Sequence, residues 1–331
     1  MRNAAGPEVR CRRCEDHRPN GPRLGAAGDR AGNPSKRRRR IMTTTAYQAL
    51  GRNDEDAVLL PFARSHLEGA LKLSREMSWP YRLEDWDVAL QLGKGFVLER
   101  GGTVIGTAAW WPYGETHASA GMIIVAKTAQ GRGYGARLMD ALLTSARPRS
   151  IALNSTAEGQ ALYQRRGFVP VGVIHQHQGI PGERHKTSRS DLVRSMTVTD
   201  FEAIMRLDRD ATGLERRRML EKLLHSGDGY VLQRDGMARG YAICRLFGRG
   251  HVIGPVVAET ATDARALIEA ALARLGKAFV RIDTSATSQI GEWLERIGLE
   301  QVGDATTMIL GTPAPSSGPA RVFAIPNQSF G

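Results

Sequence analysis

"AQGRGYGARLMDALL", residues 129–143, sets Gly131, Gly133 and Gly135 within five positions, directly ahead of an apolar-patterned stretch. Glycine is a poor helix former, so crowding it against a helix start needs a reason. Leu138, Met139, Leu142 and Leu143 supply the buried face of a helix over 134–146. The apolar strand "MIIV" precedes the loop. A helix N-terminus offers free N–H groups and the positive end of a dipole. Residues without side chains let those N–H groups approach a phosphate, and Arg132 adds a countercharge. The stretch therefore predicts a site for a phosphorylated ligand; a glycine-rich turn without a ligand is the plainer alternative. It is not a P-loop, because the Lys-Ser/Thr pair is missing. It is not the dinucleotide fingerprint either: the glycine spacing differs, and the next strand, "SIALNS", carries no acid.

The chain has 331 residues, enough for about two domains. Its 41% hydrophobic content suits a globular protein, and no run of ~18 apolar residues predicts a membrane span. The net charge of +12 is uneven. Residues 1–41 hold twelve Lys/Arg against four Asp/Glu, a net +8, which leaves +4 for the rest. This leader is rich in Arg, Gly and Pro and has no aromatic residue, so disorder is expected, with Met42 as an alternative start. "KRRRR" at 36–40 is the one feature that points to nucleic acid, and the body offers no interleaved basic and aromatic motif to support it. Cys11, Cys14 and His17 have part of a zinc spacing but no fourth ligand nearby, so no metal is expected. Cys244 stands alone, and nothing requires a disulfide, which fits a reducing cytoplasm.

The chain repeats itself. "GFVLERGGTVIGTAAWW" (95–111) parallels "GYVLQRDGMARGYAICR" (229–245), each two strands around a Gly-containing turn. "ARLMDALL" (136–143) parallels "ARALIEAAL" (264–272), and "QRRGFVPVG" (164–172) parallels "ERIGLEQVG" (295–303). Three matches in one order predict two copies of one fold, over 45–176 and 190–312. A polar linker over 177–189 joins them, and a C-terminal tail over 313–331 is apolar enough to pack between them. In the first copy, "AYQALGR" reads as a strand and "DAVLLPFARSHLEG" and "RLEDWDVALQLG" as helices. Two antiparallel strands, the strand "ASAGMIIVA", the loop and its helix follow. "SIALNS" is a strand, "AEGQALYQRRG" a helix, and "FVPVGVIHQ" closes the copy. Mixed strands with helices on a central sheet imply an α/β or α+β fold.

The strand with "QGRGYGARLMDALL" resembles the acetyl-CoA motif of the GNAT superfamily of N-acetyltransferases, Q/R-x-x-G-x-G/A, at Gln130, Gly133 and Gly135. "IALNSTAEGQALYQRRGFVPVG" resembles its second motif. The resemblance covers 45–176 well and 190–312 loosely. It implies two tandem domains, each a mixed, mostly antiparallel sheet flanked by helices. It implies acetyl-CoA as co-substrate, its pyrophosphate on the backbone of Gln130, Gly131, Arg132, Gly133, Tyr134, Gly135 and Ala136. The pantetheine arm would pair with the strand edge at Ile123, Ile124 and Val125, and Asn154 would bond that arm or an ordered water. Lys127 departs from the proline that many members carry.

Acetyl transfer to an amine needs a neutral amine, a polarised thioester carbonyl and a proton for the leaving thiolate. Proximity supplies much of the rate. The resemblance gives Tyr163 the role of general acid; a packed aromatic is the alternative. Ser155 and Glu158 suggest a capping box that fixes the start of its helix. Glu115 and His117, ahead of strand 118–125, are candidates for the base or solvated turn residues. Of Trp110 and Trp111, alternation sends one to each face, so at most one lines the acceptor site. In the second copy the glycines become "ETATD" (259–263) and Tyr163 becomes Leu294, so that copy is expected to lack CoA binding and the acid. The acceptor classes that stand are amino acid, polyamine, aminoglycoside and protein amine. A non-catalytic acyl-CoA-binding protein on the same fold is the alternative function.

Overall fold

The structure is a computed structural model that describes residues 57–182 and 190–331, all within one compact unit. The leader with Cys11, Cys14, His17 and "KRRRR", the strand expected at "AYQALGR" and most of the linker lie outside the described residues.

The first repeat runs β1 (Val58–Pro61), α1 (Leu67–Glu76), α2 (Leu83–Leu92), β2 (Lys94–Arg100), β3 (Thr103–Tyr113), β4 (His117–Val125), α3 (Tyr134–Ala146), β5 (Ser150–Ser155), α4 (Gln160–Gln164) and β6 (Val169–Gly179). The second runs β7 (Val193–Ser195), α5 (Phe201–Thr212), α6 (Arg217–His225), β8 (Gly227–Arg234), β9 (Met237–Phe247), β10 (Gly250–Ala258), α7 (Ala261–Leu275), β11 (Val280–Ser285), α8 (Gly291–Arg296), β12 (Glu300–Leu310) and β13 (Arg321–Ile325). From β2 and β8 onward the order is the same, as the internal matches require. Buried positions on α7 recur at Ala264, Leu267, Ile268, Ala271 and Leu272, one stripe facing the sheet.

Two expectations are corrected. "DAVLLPFARSHLEG" is not one helix: Val58–Pro61 pairs antiparallel with β2, and the helix begins only at Leu67. Leu59 turns inward while Val58 is exposed, the alternation of a strand. The helix expected over "AEGQALYQRRG" is a 3₁₀ turn at Ala157–Gly159 followed by the short α4.

The strands form one 13-stranded sheet in the order β1-β2-β3-β4-β5-β12-β6-β11-β13-β10-β9-β8-β7. The repeats are therefore interleaved, and residues 177–179 of the expected linker belong to β6. β12 of the second repeat pairs with β5 of the first, from Thr306 against Ser155 to Leu310 against Ile151. β6 of the first pairs with β11 of the second, from Val280 against Gly179 to Ser285 against Ile174. The apolar core crosses in the same way: Ile204, Leu220 and Tyr241 share one cluster with Trp111 and Leu138. Residues 321–325 of the expected tail are not appended to the second domain but built into its sheet, between β10 and β11. No helix among the described residues is long and apolar enough to cross a membrane.

Candidate active site

The glycine loop ends where α3 begins. Gly131 and Gly133 both have φ of +79°, a region that an L side chain enters only at a cost. A Cβ added at either would meet nothing within 4 Å. The glycines are thus required by backbone conformation, and the space above them is open. Gly135 has no such φ; its Cβ would sit at an ordinary 3.6 Å from Leu162. Arg132 is exposed beside the loop. Gln130 folds back, its Nε2 donating to the Val125 carbonyl at 3.1 Å, and this ties the loop to the end of β4.

β4 and β5 run parallel and pair from His117–Ser150 to Ala120–Leu153, and pair no further. Beyond Ala120, β4 keeps β3 on one side while its other edge turns into a cleft. Met122, with φ of +52°, makes the irregularity that bends β4, and the Thr107 hydroxyl fixes it by donating to the Met122 carbonyl at 2.7 Å. The cleft has a volume of about 770 Å³ and runs from Gln130, Gly131, Gly133 and Gly135 along Ile123, Ile124 and Val125 to Tyr163.

Tyr163 is 7% exposed, its ring edge-on to Phe168 at a centroid distance of 5.9 Å. Tyr163 lines the cleft, and its hydroxyl has no hydrogen-bond partner among the described residues. Burial pushes the phenol up to about 12, so it is protonated at neutral pH and able to donate. Gly159 backs the ring: a Cβ there would come within 3.0 Å of Tyr163 Cε2. The glycine loop, the unpaired edge of β4 and the protonated Tyr163 phenol thus line one continuous cleft.

Two family models, each described as an acetyltransferase (GNAT) domain, match residues 91–170 and 204–324. The chain carries two GNAT acetyltransferase domains. Among curated relatives, the "Uncharacterized N-acetyltransferase YitH" of Bacillus subtilis (strain 168) is 24% identical over 279 residues, 82% of this chain and 98% of that protein. Holothin acyltransferase of Pseudoalteromonas sp. (strain SANK 73390) is 25% identical over 233 residues, 66% of this chain and 78% of that protein. Among solved structures, a candidate acetyltransferase from Pyrococcus horikoshii has a TM-score of 0.71 at 18% identity, covering 85% of this chain and 98% of that one. A tandem GNAT protein from the clavulanic acid biosynthesis pathway has a TM-score of 0.55 at 14% identity, covering 80% and 100%. Both likenesses are of fold.

Within the first GNAT domain, several expected site residues lie elsewhere. Glu115 is exposed and pairs with Arg149 at 3.1 Å. His117 is bonded to Thr116 at 2.9 Å and to the Thr312 carbonyl at 3.2 Å, and neither residue lines the cleft. The first pairs of β4 with β5 put them at the closed end of the sheet, away from the splay. Asn154 reaches the cleft, but both ends of its amide are engaged. Its Oδ1 accepts from Thr307 at 2.7 Å and its Nδ2 donates to the Gln328 carbonyl at 2.9 Å. The capping box is absent: Thr156 precedes the turn, and the Ser155 hydroxyl donates to the Thr156 carbonyl. Glu158, exposed, is held below the usual carboxylate range by hydrogen bonds from its own backbone and from Thr156. Trp110 and Trp111 are both 2% exposed and neither lines the cleft, because both faces of β3 are covered. Trp111 donates to the Ala89 carbonyl at 2.8 Å, while Trp110 lies under the Lys94 and Arg149 cations.

The corresponding places in the second GNAT domain are filled from within. Glu259 accepts from Arg239 at 3.2 Å and from Arg234 at 3.4 Å. Asp263, fully buried, accepts from Arg234 at 3.0 Å, and Thr260 caps α7 by accepting from the Asp263 N–H. β10 and β11 also splay, but β13 lies in the gap, with Val256–Ala258 on one side and Asp283–Thr284 on the other. Leu294, at the tyrosine position, is fully buried.

Sequence reasoning missed the residues that line the far reach of the first domain's cleft. Trp79 and Tyr81 come from the turn after α1, Phe247 from the end of β9, Arg281 from β11, and Gln328 and Ser329 from the segment after β13. Their only signal was composition, since the fold gathers them from distant stretches.

Proposed function

We propose that this protein transfers an acetyl group from acetyl-CoA to a primary amine, by direct attack in a ternary complex, at the cleft of its first domain. The observation that carries the reading is continuity. One cleft joins an open, positive-φ glycine loop at a helix start to an unpaired strand edge and then to a buried, protonated, unpartnered phenol.

The N–H groups around Gln130 to Ala136 and the Arg132 side chain bind the pyrophosphate. The edge at Ile123, Ile124 and Val125 pairs with the pantetheine amides. The amine nitrogen attacks the thioester carbonyl, the carbon–sulfur bond breaks, and the departing thiolate takes the Tyr163 proton; the proton lost by the amine passes to solvent. Glu158 is the one acid lining the cleft among the described residues, and the hydrogen bonds that hold it below the usual carboxylate range make it a weak base. The acceptor therefore arrives neutral or loses its proton to water, and Glu115 and His117 have no part in the step. The ion-paired loop and the β13-filled gap make the second domain the copy that binds no CoA.

The test is thiol release from acetyl-CoA in the presence of a panel of primary amines. Amine-dependent release that Tyr163→Phe suppresses is the expected result. Tight acetyl-CoA binding with no release for any amine would instead favour a non-catalytic acyl-CoA-binding protein.

A further inference from the structure

The far wall of the cleft is aromatic, with one cation set into it. The rings of Tyr81 and Phe247 meet edge-on at 5.4 Å, and the Tyr81 hydroxyl lies 3.1 Å from the Ser329 hydroxyl. Arg281, on the second domain's β11, faces the same space. It donates to Asp283 through Nε at 2.9 Å and Nη2 at 2.8 Å, and its Nη1 has no partner among the described residues. Asp283 is fully buried and does not line the cleft.

The charges behind this wall do not balance. Arg82 pairs with Asp85 at 2.9 Å and Arg281 with Asp283 at 2.8 Å. Arg245 is 6% exposed and has no carboxylate partner among the described residues; it donates to the carbonyls of Leu246 and Pro326 and leaves Nε unbonded. Three guanidiniums thus face two carboxylates. Burial above all pushes the Arg245 guanidinium down to about 10; the Asp85 carboxylate opposes the fall, and the Arg82 and Arg281 cations add to it. An uncompensated cation in a low-dielectric wall attracts an anion and repels a second cation. Among the described residues, none of the side chains grouped at this wall of the cleft is a carboxylate that could receive a polycation.

Building on the acetyl-transfer reading above, we infer that the acceptor is a primary amine carrying a carboxylate on an apolar or aromatic body, and that Arg281 selects it. The second domain then has a definite role, because it supplies Phe247, Arg281, Gln328 and Ser329 to the acceptor side of a site whose CoA side belongs to the first. Polyamines and aminoglycosides are the wrong class for this wall.

The test uses the full chain and acceptors paired by carboxylate and carboxamide, phenylalanine with its carboxamide and para-(aminomethyl)benzoate with its carboxamide, each rate referred to the neutral-amine fraction of that acceptor, with spermidine as the polycation. Removing Arg281 alone would strand the buried Asp283 carboxylate, so the variant is the double Arg281→Met/Asp283→Asn, with Arg281→Lys as the conservative partner. The carboxylate member of at least one pair should be preferred about 10- to 100-fold in kcat/KM, the worth of one charge-assisted hydrogen bond. That preference should vanish in the double variant through KM, persist in part with lysine, and leave the acetyl-CoA Kd unchanged. Equal use of both members, a preference for spermidine, or a preference that survives in the double variant would overturn the role of Arg281. The same pairs are also titrated by calorimetry onto protein saturated with CoA. Tighter binding of a carboxylate there sustains Arg281 even without turnover, in which case acetyl transfer alone fails; equal binding overturns Arg281.

Discussion

The Asn154 side chain donates to the backbone carbonyl of Gln328 at 2.9 Å across a sequence separation of 174 residues. This bond joins the strand that opens the first domain's cleft to the segment that leaves the second domain's sheet. Next along that segment, Ser329 lies so close to Gly121 that a Cβ there would come within 3.0 Å of its Cα. The Tyr113 hydroxyl donates to the Phe330 carbonyl, and Arg216 Nη1 donates to the Gly331 carbonyl at 2.9 Å. The segment 328–331 is therefore held against the first domain, and its Gln328 and Ser329 line the cleft.

Tyr163→Phe should lower turnover by roughly 10²–10⁴-fold, the usual contribution of a general acid, with the acetyl-CoA Kd unchanged. The ring keeps its place between Gly159 and Phe168, and only the proton is lost. With the phenol pushed up to about 12, the wild-type rate should show no alkaline fall below that range, while its acid limb tracks the pKa of the amine. Steady-state kinetics over pH with two amines of different basicity reads both. An unchanged turnover with chemistry rate-limiting would remove Tyr163 from the mechanism.

The two repeats should not fold apart. β5 has β12 as its neighbour on the side away from β4, and without the second repeat the edge from Ile151 to Ser155 and the apolar face beneath Met308 are uncovered. Residues 42–182 produced alone should aggregate or lack a cooperative melting transition, and co-production with 190–331 should restore one. A monomeric, cooperatively melting first repeat would contradict the interleaved sheet.

This is also where the sequence stopped being legible. The periodic pattern of α3, the glycines before it and the repeated strand-turn-strand blocks each carry a local signature, and each marks an element that the structure contains. Strand exchange has none: β6 and β12 read as similar closing strands, and either partner satisfies their alternation. The choice between base and solvated turn residue for Glu115 and His117 was open in the sequence for a related reason. Glu115 and His117 are near the cleft in sequence, but the parallel β4–β5 pairing sets them at its closed end. Arg281 was invisible as a site residue because its place depends on which strands of another repeat surround it.

Phe323, fully buried on β13, fills the gap between β10 and β11. Phe323→Ala should cost about 3–5 kcal/mol, the usual loss for a deleted buried aromatic ring. It should not create CoA binding in the second domain, because Glu259 and Asp263 remain with their arginines. Denaturant melts with acetyl-CoA titration check both; a loss below about 1 kcal/mol would mean that β13 is not a structural strand.

Cys244 is 3% exposed on β9, and burial pushes its thiol up to about 12. At pH 8 only on the order of one in 10⁴ would be thiolate. Peptide mapping after alkylation at pH 8 should find Cys244 unmodified in the native protein and fully modified once the chain is unfolded. Rapid native labelling would show that the second domain's sheet opens readily.

The mechanism rests on one acetyl-CoA site per chain, at the first domain's glycine loop. Calorimetric titration of the full chain with acetyl-CoA counts the sites, in the wild type, Gly133→Glu and Asp263→Asn. A side chain at Gly133 must adopt φ of +79° and would carry a negative charge into the pyrophosphate's place. The expected stoichiometry is one, lost in Gly133→Glu and kept in Asp263→Asn. A stoichiometry of two, or full binding by Gly133→Glu, would contradict a single site at this loop.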